Sequence, residues 1–114
     1  MEDRTRNHQT VKFKNPPKII GNYAIVGPKE GLGPFGKYFD YVMKSDSFDE
    51  KTYELAERKM IEHAVMGAIT KAKMQPSDID MFLAGDLLNQ IISSSYAARA
   101  FDMTYIGLFG ACST

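Results

Sequence analysis

Apolar residues along this chain fall into three short runs separated by one long stretch of helical spacing and several clusters of turn residues. Ile19 to Val26 is mostly apolar, follows Pro16-Pro17 and stops at Gly27-Pro28, which predicts a strand. Gly27 to Gly36 is rich in turn residues and predicts a loop, and the aromatic stretch Tyr38 to Met43 predicts one or two helical turns. The long helix is expected to start at Ser47, because Ser47 and Glu50 have the spacing of a capping box, in which each side chain satisfies the other's free backbone N–H. Tyr53, Ala56, Met60, Ala64, Ala68 and Ala72 then recur at helical spacing, with Ile61, Val65 and Ile69 widening the stripe. Glu54 and Arg58 stand four apart in the favourable order of charge, and Pro76 is expected to end the run. A second strand is predicted over Asp80 to Ala84, closing at Gly85-Asp86. After a loop from Leu87 to Ser93 comes a short helix, Ser94 to Phe101, capped by one of its serines. Thr104 to Phe109 predicts a third strand, ending at Gly110.

Strands that alternate with helices pair in parallel through crossovers, so the expected fold class is α/β, with a β-α-β-α-β parallel sheet. Residues 1–18 read as a polar N-terminal arm and residues 19–114 as one domain. In such sheets the functional loops lie at the carboxyl ends of the strands. Three segments are expected to converge there: Gly27 to Gly36, Gly85 to Gln90, and Gly110 to Thr114.

Charge narrows the partners. Fourteen basic and fourteen acidic residues cancel, and neither sign forms a block. Nucleic-acid binding, which draws on clustered Lys and Arg to neutralise phosphates, is therefore not expected. No apolar stretch approaches the roughly 20 residues that cross a bilayer, and residues 1–15 lack the apolar core of a secretion signal. A cytoplasmic protein is the expectation, with any membrane association made through partners.

Each candidate motif has a plainer reading beside the functional one. Gly31-Leu32-Gly33-Pro34-Phe35-Gly36 matches the dinucleotide pattern G-x-G-x-x-G, but Pro34 removes a donor and no long helix begins at Gly36, so a structured surface loop is the better reading. Asp78 and Asp80 flank Ile79, and Asp78 is assigned to the turn at Pro76 rather than to an acid pair. His8 and His63 have no second ligand at metal-binding spacing, so neither metal nor cofactor is expected. Cys112 excludes an internal disulfide, since it is the sole cysteine. It follows a strand among the small residues Gly110, Ala111, Ser113 and Thr114, where backbone can turn sharply and a ligand can come close. A helix beginning at Cys112 would lower the thiol pKa or seat an anion, and spacing alone does not choose between a nucleophile and an anion seat.

Gly85-Asp86-Leu87-Leu88-Asn89-Gln90, Ala97-Ala98-Arg99, Thr104 to Leu108 and Ala111-Cys112-Ser113-Thr114 resemble the segment of thiolases and ketoacyl synthases that ends at the nucleophilic cysteine. Asn15-Pro16-Pro17, Gly27-Pro28-Lys29-Glu30-Gly31, Gly33-Pro34, Ala84 to Gln90 and Phe109 to Thr114 resemble more closely the stage V sporulation protein AD family, a thiolase-fold branch of spore formers. That resemblance covers nearly all of the chain after the polar arm. It implies the N-terminal part of a thiolase-like fold of two related α/β halves, incomplete at Thr114, with Cys112 at the nucleophile position of the ligand pocket. Asp86, Asn89, Gln90, Ser113 and Thr114 are the accompanying pocket-loop candidates. It also implies binding of dipicolinic acid, the aromatic dicarboxylate of the spore core, and its uptake and release together with other stage V sporulation A proteins at the inner spore membrane. A homo-oligomer and a forespore or spore location with peripheral membrane association go with that assignment.

Three functions follow: a non-catalytic binder of dipicolinate, an acyltransferase acylated on Cys112, or a docking scaffold for membrane proteins. A condensing enzyme needs later histidines or an asparagine that this sequence does not contain after Cys112. The chain on its own is expected neither to bind nor to catalyse normally, and its uncovered sheet is expected to make it self-associate or leave it marginally stable.

Overall fold

A computed structural model describes residues 5–6 and 10–112. Within the arm, β1 (Thr5–Arg6) and β2 (Thr10–Val11) form a small antiparallel pair, and residues 11–20 are exposed throughout. The rest is α/β, built on two parallel strand pairs and one long helix.

The first pair joins β3 (Ile25–Val26) to β4 (Tyr41–Val42). Here the structure corrects two expectations. The first strand is confined to two residues, and the stretch from Tyr38 to Met43 supplies its partner instead of helical turns. A parallel pair needs a crossover of about a dozen residues or more, and residues 27–40 provide it as α1 (Pro28–Gly31) followed by a 3-10 turn at Gly36–Tyr38. β-branched Val42 and aromatic Tyr41 suit a pleated strand better than a short helix. Bonding from Asp40 N–H and Tyr41 N–H to the Ala24 carbonyl extends the pairing.

The long helix, α2, spans Tyr53–Lys71 and starts later than the capping box suggests. Phe48 and Asp49 both have positive φ, 52° and 61°, so Ser47 to Glu50 cannot form a first helical turn. Burial explains the detour: Phe48 is inserted beside Met43 and Ala56 in the small core, with Ile25, Tyr41 and Met60 packed around it. Glu50 turns instead to Lys59, at 3.1 Å, and Thr52 becomes the cap, its hydroxyl accepting the Leu55 N–H at 3.2 Å. Arg58 pairs with Glu62 at 2.8 Å rather than with Glu54. The predicted stripe is turned inward from Ala56 onward, while Tyr53 is exposed.

α2 ends before Pro76. Lys73 takes a left-handed conformation, and the Met74 and Lys73 N–H groups bond back to the carbonyls of Ile69 and Thr70, a Schellman ending with lysine where glycine is usual. Pro76 then opens a 3-10 turn closed by Asp78, whose carboxylate accepts the Gln75 N–H at 2.8 Å, as the turn assignment expected.

The second pair joins β5 (Met81–Ala84) to β6 (Thr104–Gly107), with Met81 opposite Thr104 and Ala84 opposite Gly107. Between them α3 (Ile92–Ala98) makes the crossover and packs against both α2 and β6. The two pairs are separate, so the expected single sheet running through residues 19–26, 80–84 and 104–109 is not formed; β3 is satisfied by β4.

The molecule leaves much of its apolar surface open. One face of the second pair, Met81, Leu83 and Ile106, is 43–57% exposed, while alternate residues turn inward. The accessible surface is 9068 Å², nearly half as much again as the roughly 6300 Å² expected of a compact monomer of this mass. These are the properties of an α/β unit that leaves one face of its second strand pair uncovered among the described residues.

Candidate functional site

β5 and β6 end side by side, and their outgoing turns, residues 85–91 and 108–112, meet. Gly85 permits this: a Cβ there would lie 2.5 Å from the Ala111 Cβ and 3.3 Å from the Leu108 carbonyl oxygen. The Leu108 N–H continues the ladder to the Ala84 carbonyl at 2.8 Å. Gly110 has φ 65°, and its N–H donates to the Gln90 side-chain oxygen, so one turn holds the other. Cys112 is exposed at the end of this second turn.

Asp86 organises the first turn from within. It is 3% exposed, and its carboxylate accepts the N–H groups of Ile91 and of Ser94, the latter at 2.6 Å. Burial, the largest single influence, pushes this carboxyl up. The bonds from the Ser94 N–H and hydroxyl and from the Ile91 N–H more than offset it, and hold the group below its ordinary value. The cap of α3 is therefore a carboxylate eight residues upstream of Ser94, not a serine; Ile91, just before the helix, is left-handed with φ 69°. The serines serve elsewhere. Ser94 Oγ meets the Tyr105 hydroxyl at 2.7 Å and ties α3 to β6, Ser95 Oγ donates to the Ile92 carbonyl, and Ser93 Oγ is buried without a partner among the described residues.

Of the residues singled out in the sequence, Asp86, Gln90 and Cys112 are brought to this pair of turns. Asn89 is exposed on the first turn, its carbonyl accepting the Ile92 N–H. Ser113 and Thr114 lie outside the described residues, as does any helix headed by Cys112. The third expected segment, Gly27 to Gly36, packs instead beside the first strand pair, with Gly31 against Val42. Its N–H groups at Gly31, Leu32, Gly33 and Gly36 are all taken by carbonyls of the same loop. They are not offered to a phosphate, which bears out the surface-loop reading.

Glu57 is the residue that sequence reasoning missed. Its Oε1 accepts the Leu87 N–H at 2.9 Å, across thirty positions of sequence, so no local spacing could have announced it. Other clefts among the described residues lie away from the turns, including one beside Glu50, Leu55 and Arg58. Another runs along α2 between Tyr23, His63 and Lys71, and one sits at the opposite ends of β5 and β6 by Asp80 and Asp102.

The geometry thus defines an α/β protein whose candidate site is a pair of cross-braced turns at the carboxyl ends of two parallel strands, with a thiol at the rim. Residues 7–114 match the family described as Stage V sporulation protein AD (SpoVAD), and the chain belongs to that family. It is 41% identical over 106 residues to the Stage V sporulation protein AD of Bacillus subtilis (strain 168), a match covering 93% of this chain and 31% of that relative. The chain therefore spans about a third of the length of the curated relative it matches. No helix among the described residues is long and apolar enough to cross a membrane.

Proposed function

We propose that a family-length protein carrying this chain binds dipicolinic acid without catalysing a reaction on it, and that the turns at residues 85–91 and 108–112 form one wall of the binding pocket. Membership of the stage V sporulation protein AD family carries this reading, and the exposed position of Cys112 beside the Gly85 turn supports it. A planar ring bearing two carboxylates needs a flat apolar slot with N–H or cationic donors at its ends. Leu87 and Leu88 on the first turn and Phe109 on the second are 56–71% exposed and offer apolar surface for such a slot. Uptake into and release from the spore, with other stage V sporulation A proteins at the inner spore membrane, is the corresponding cellular role. The protein is proposed to work there as a homo-oligomer held peripherally through those partners.

Calorimetric titration with dipicolinate tests the reading. Binding by the family-length protein, with none by the 114-residue chain, is the expected result. Absence of binding in both, or equal binding in both, would overturn it.

A second reading rests on one observation, the exposed thiol following β6 among small residues. In that reading Cys112 is a nucleophile: its thiolate attacks the carbonyl of an acyl thioester, the bond to the carrier sulfur breaks, and the carrier leaves as a thiol. Intact-mass measurement after exposure to acyl-CoA of several chain lengths distinguishes the two. A stable acyl adduct on Cys112 favours the enzyme, and its absence favours the binder.

A further inference from the structure

We infer that Glu57 is a positioning residue for the Gly85–Gln90 turn, acting from the long helix on a wall of the pocket it does not itself form. The inference rests on the reading of that turn as a ligand-binding wall. Glu57 follows the fully packed Ala56 on α2, on a helix that lies against α3. From there its Oε1 takes the Leu87 N–H at 2.9 Å, while Oε2 is buried and without a hydrogen-bond partner among the described residues. Burying a carboxylate oxygen with no donor is unfavourable, so packing alone gives no reason for an acid here. The Leu87 bond does give one, because a charged acceptor holds a backbone N–H about twice as strongly as a neutral one.

The turn has two further braces, and Glu57 completes the set. Asp86 binds forward to Ile91 and Ser94, which fixes the turn to α3. Gln90 binds across to Gly110, which fixes it to the segment carrying Cys112. Neither brace reaches α2. Leu87, 61% exposed, lies between them, and its N–H makes the one hydrogen bond among the described residues that joins this turn to the long helix. Through this bond the distance between α2 and the apolar residues Leu87 and Leu88 is set.

Two substitutions in the family-length protein test this: Glu57→Ala, which removes the acceptor, and Glu57→Gln, which keeps a carbonyl oxygen in the same place. Amide hydrogen exchange at Leu87 is the first readout, with Ala64 in the middle of α2 as control for the fold. Dipicolinate affinity is the second. For Glu57→Ala, exchange at Leu87 is expected to accelerate by about ten- to a hundredfold, as for the loss of a charge-assisted bond. Affinity is expected to fall with it, and Ala64 to be unchanged. Glu57→Gln, which keeps an acceptor but a neutral one, is expected to restore part of both and to lie between Glu57→Ala and the unsubstituted protein. Unchanged exchange at Leu87 in Glu57→Ala would overturn the inference, as would a Gln variant no better than Ala while Ala64 stays protected. Should the unsubstituted protein bind no dipicolinate, the pocket reading fails by itself, and exchange at Leu87 still decides whether Glu57 holds the turn.

Discussion

Replacing Asp86 with alanine should loosen the candidate site more than any other single change on the β5 side. The carboxylate is 3% exposed and accepts two backbone N–H groups, those of Ile91 and Ser94. A hydrogen bond to a charged group contributes about 1.5–3 kcal/mol, and a buried donor left unpaired costs about 1–3 kcal/mol. Asp86→Ala removes two such bonds and orphans donors at the start of α3, so a loss of about 3–5 kcal/mol is expected, below simple addition because the freed N–H groups gain some water. Asp86→Asn retains one acceptor and turns an amide N–H toward the other donor, for about half that loss. Acid should mimic the substitution. The folded-state pKa of Asp86 lies below its ordinary value of 3.8, so its contribution is complete above that value and disappears as pH falls through the lower, folded one. Amide exchange at Ser94 across an acid series is the assay, with Ile69 in α2 as reference. Exchange at Ser94 that is the same in Asp86→Ala and the unsubstituted protein would refute the reasoning.

Three further outcomes are expected. Lys73→Gly should raise stability by about 0.5–1 kcal/mol in urea titration, because Lys73 holds a left-handed conformation that glycine adopts without strain. Gly67→Ala, a change that favours an exposed helix by about 1 kcal/mol, should here destabilise by about 1–3 kcal/mol, since the new methyl would lie 2.4 Å from the Tyr23 ring. Thermal melts of Gly67→Ala with and without Tyr23→Ala check this, and failure of the second change to relieve the first would count against it. Sedimentation of the 114-residue chain should show self-association that rises with concentration and is suppressed by Leu83→Lys with Ile106→Lys, because these residues lie on the open face of the β5–β6 pair.

What could be read in the sequence was set by local pattern. β5, α3 and β6 appear close to their expected positions because apolar runs of strand length are bounded by Gly85, Gly110 and a short helical period. Asp78 was assignable to its turn because an acid two residues after proline at a 3-10 start has a local partner. Ser47 misled, since its capping pattern is real in sequence but loses to the burial of Phe48 one position later. Tyr41 and Val42 form a two-residue strand, which carries too little pattern to separate from a helical turn. The partner of β3 is therefore invisible in the sequence, and a single sheet is expected where there are two parallel pairs.

The candidate site divides the same way. Asp86, Gln90 and Cys112 were found through resemblance and position after strands. Their actual bonds, Asp86 to the head of α3 and Gln90 across to Gly110, join residues 5 to 20 positions apart. Glu57 reaches 30 positions and leaves no periodic trace. The convergence expected of Gly27 to Gly36 was inferred from the single sheet and falls with it.

The central claim is that the turns after β5 and β6 form one wall of a dipicolinate pocket with Cys112 at its edge. Rate of alkylation of Cys112 in the family-length protein, with and without dipicolinate at a concentration that calorimetry shows to be saturating, tests it most directly. The account predicts that bound dipicolinate slows alkylation at least several-fold, and that an aromatic monocarboxylate at the same concentration does so less. Alkylation at an unchanged rate in the saturated protein would place the ligand elsewhere and contradict the account.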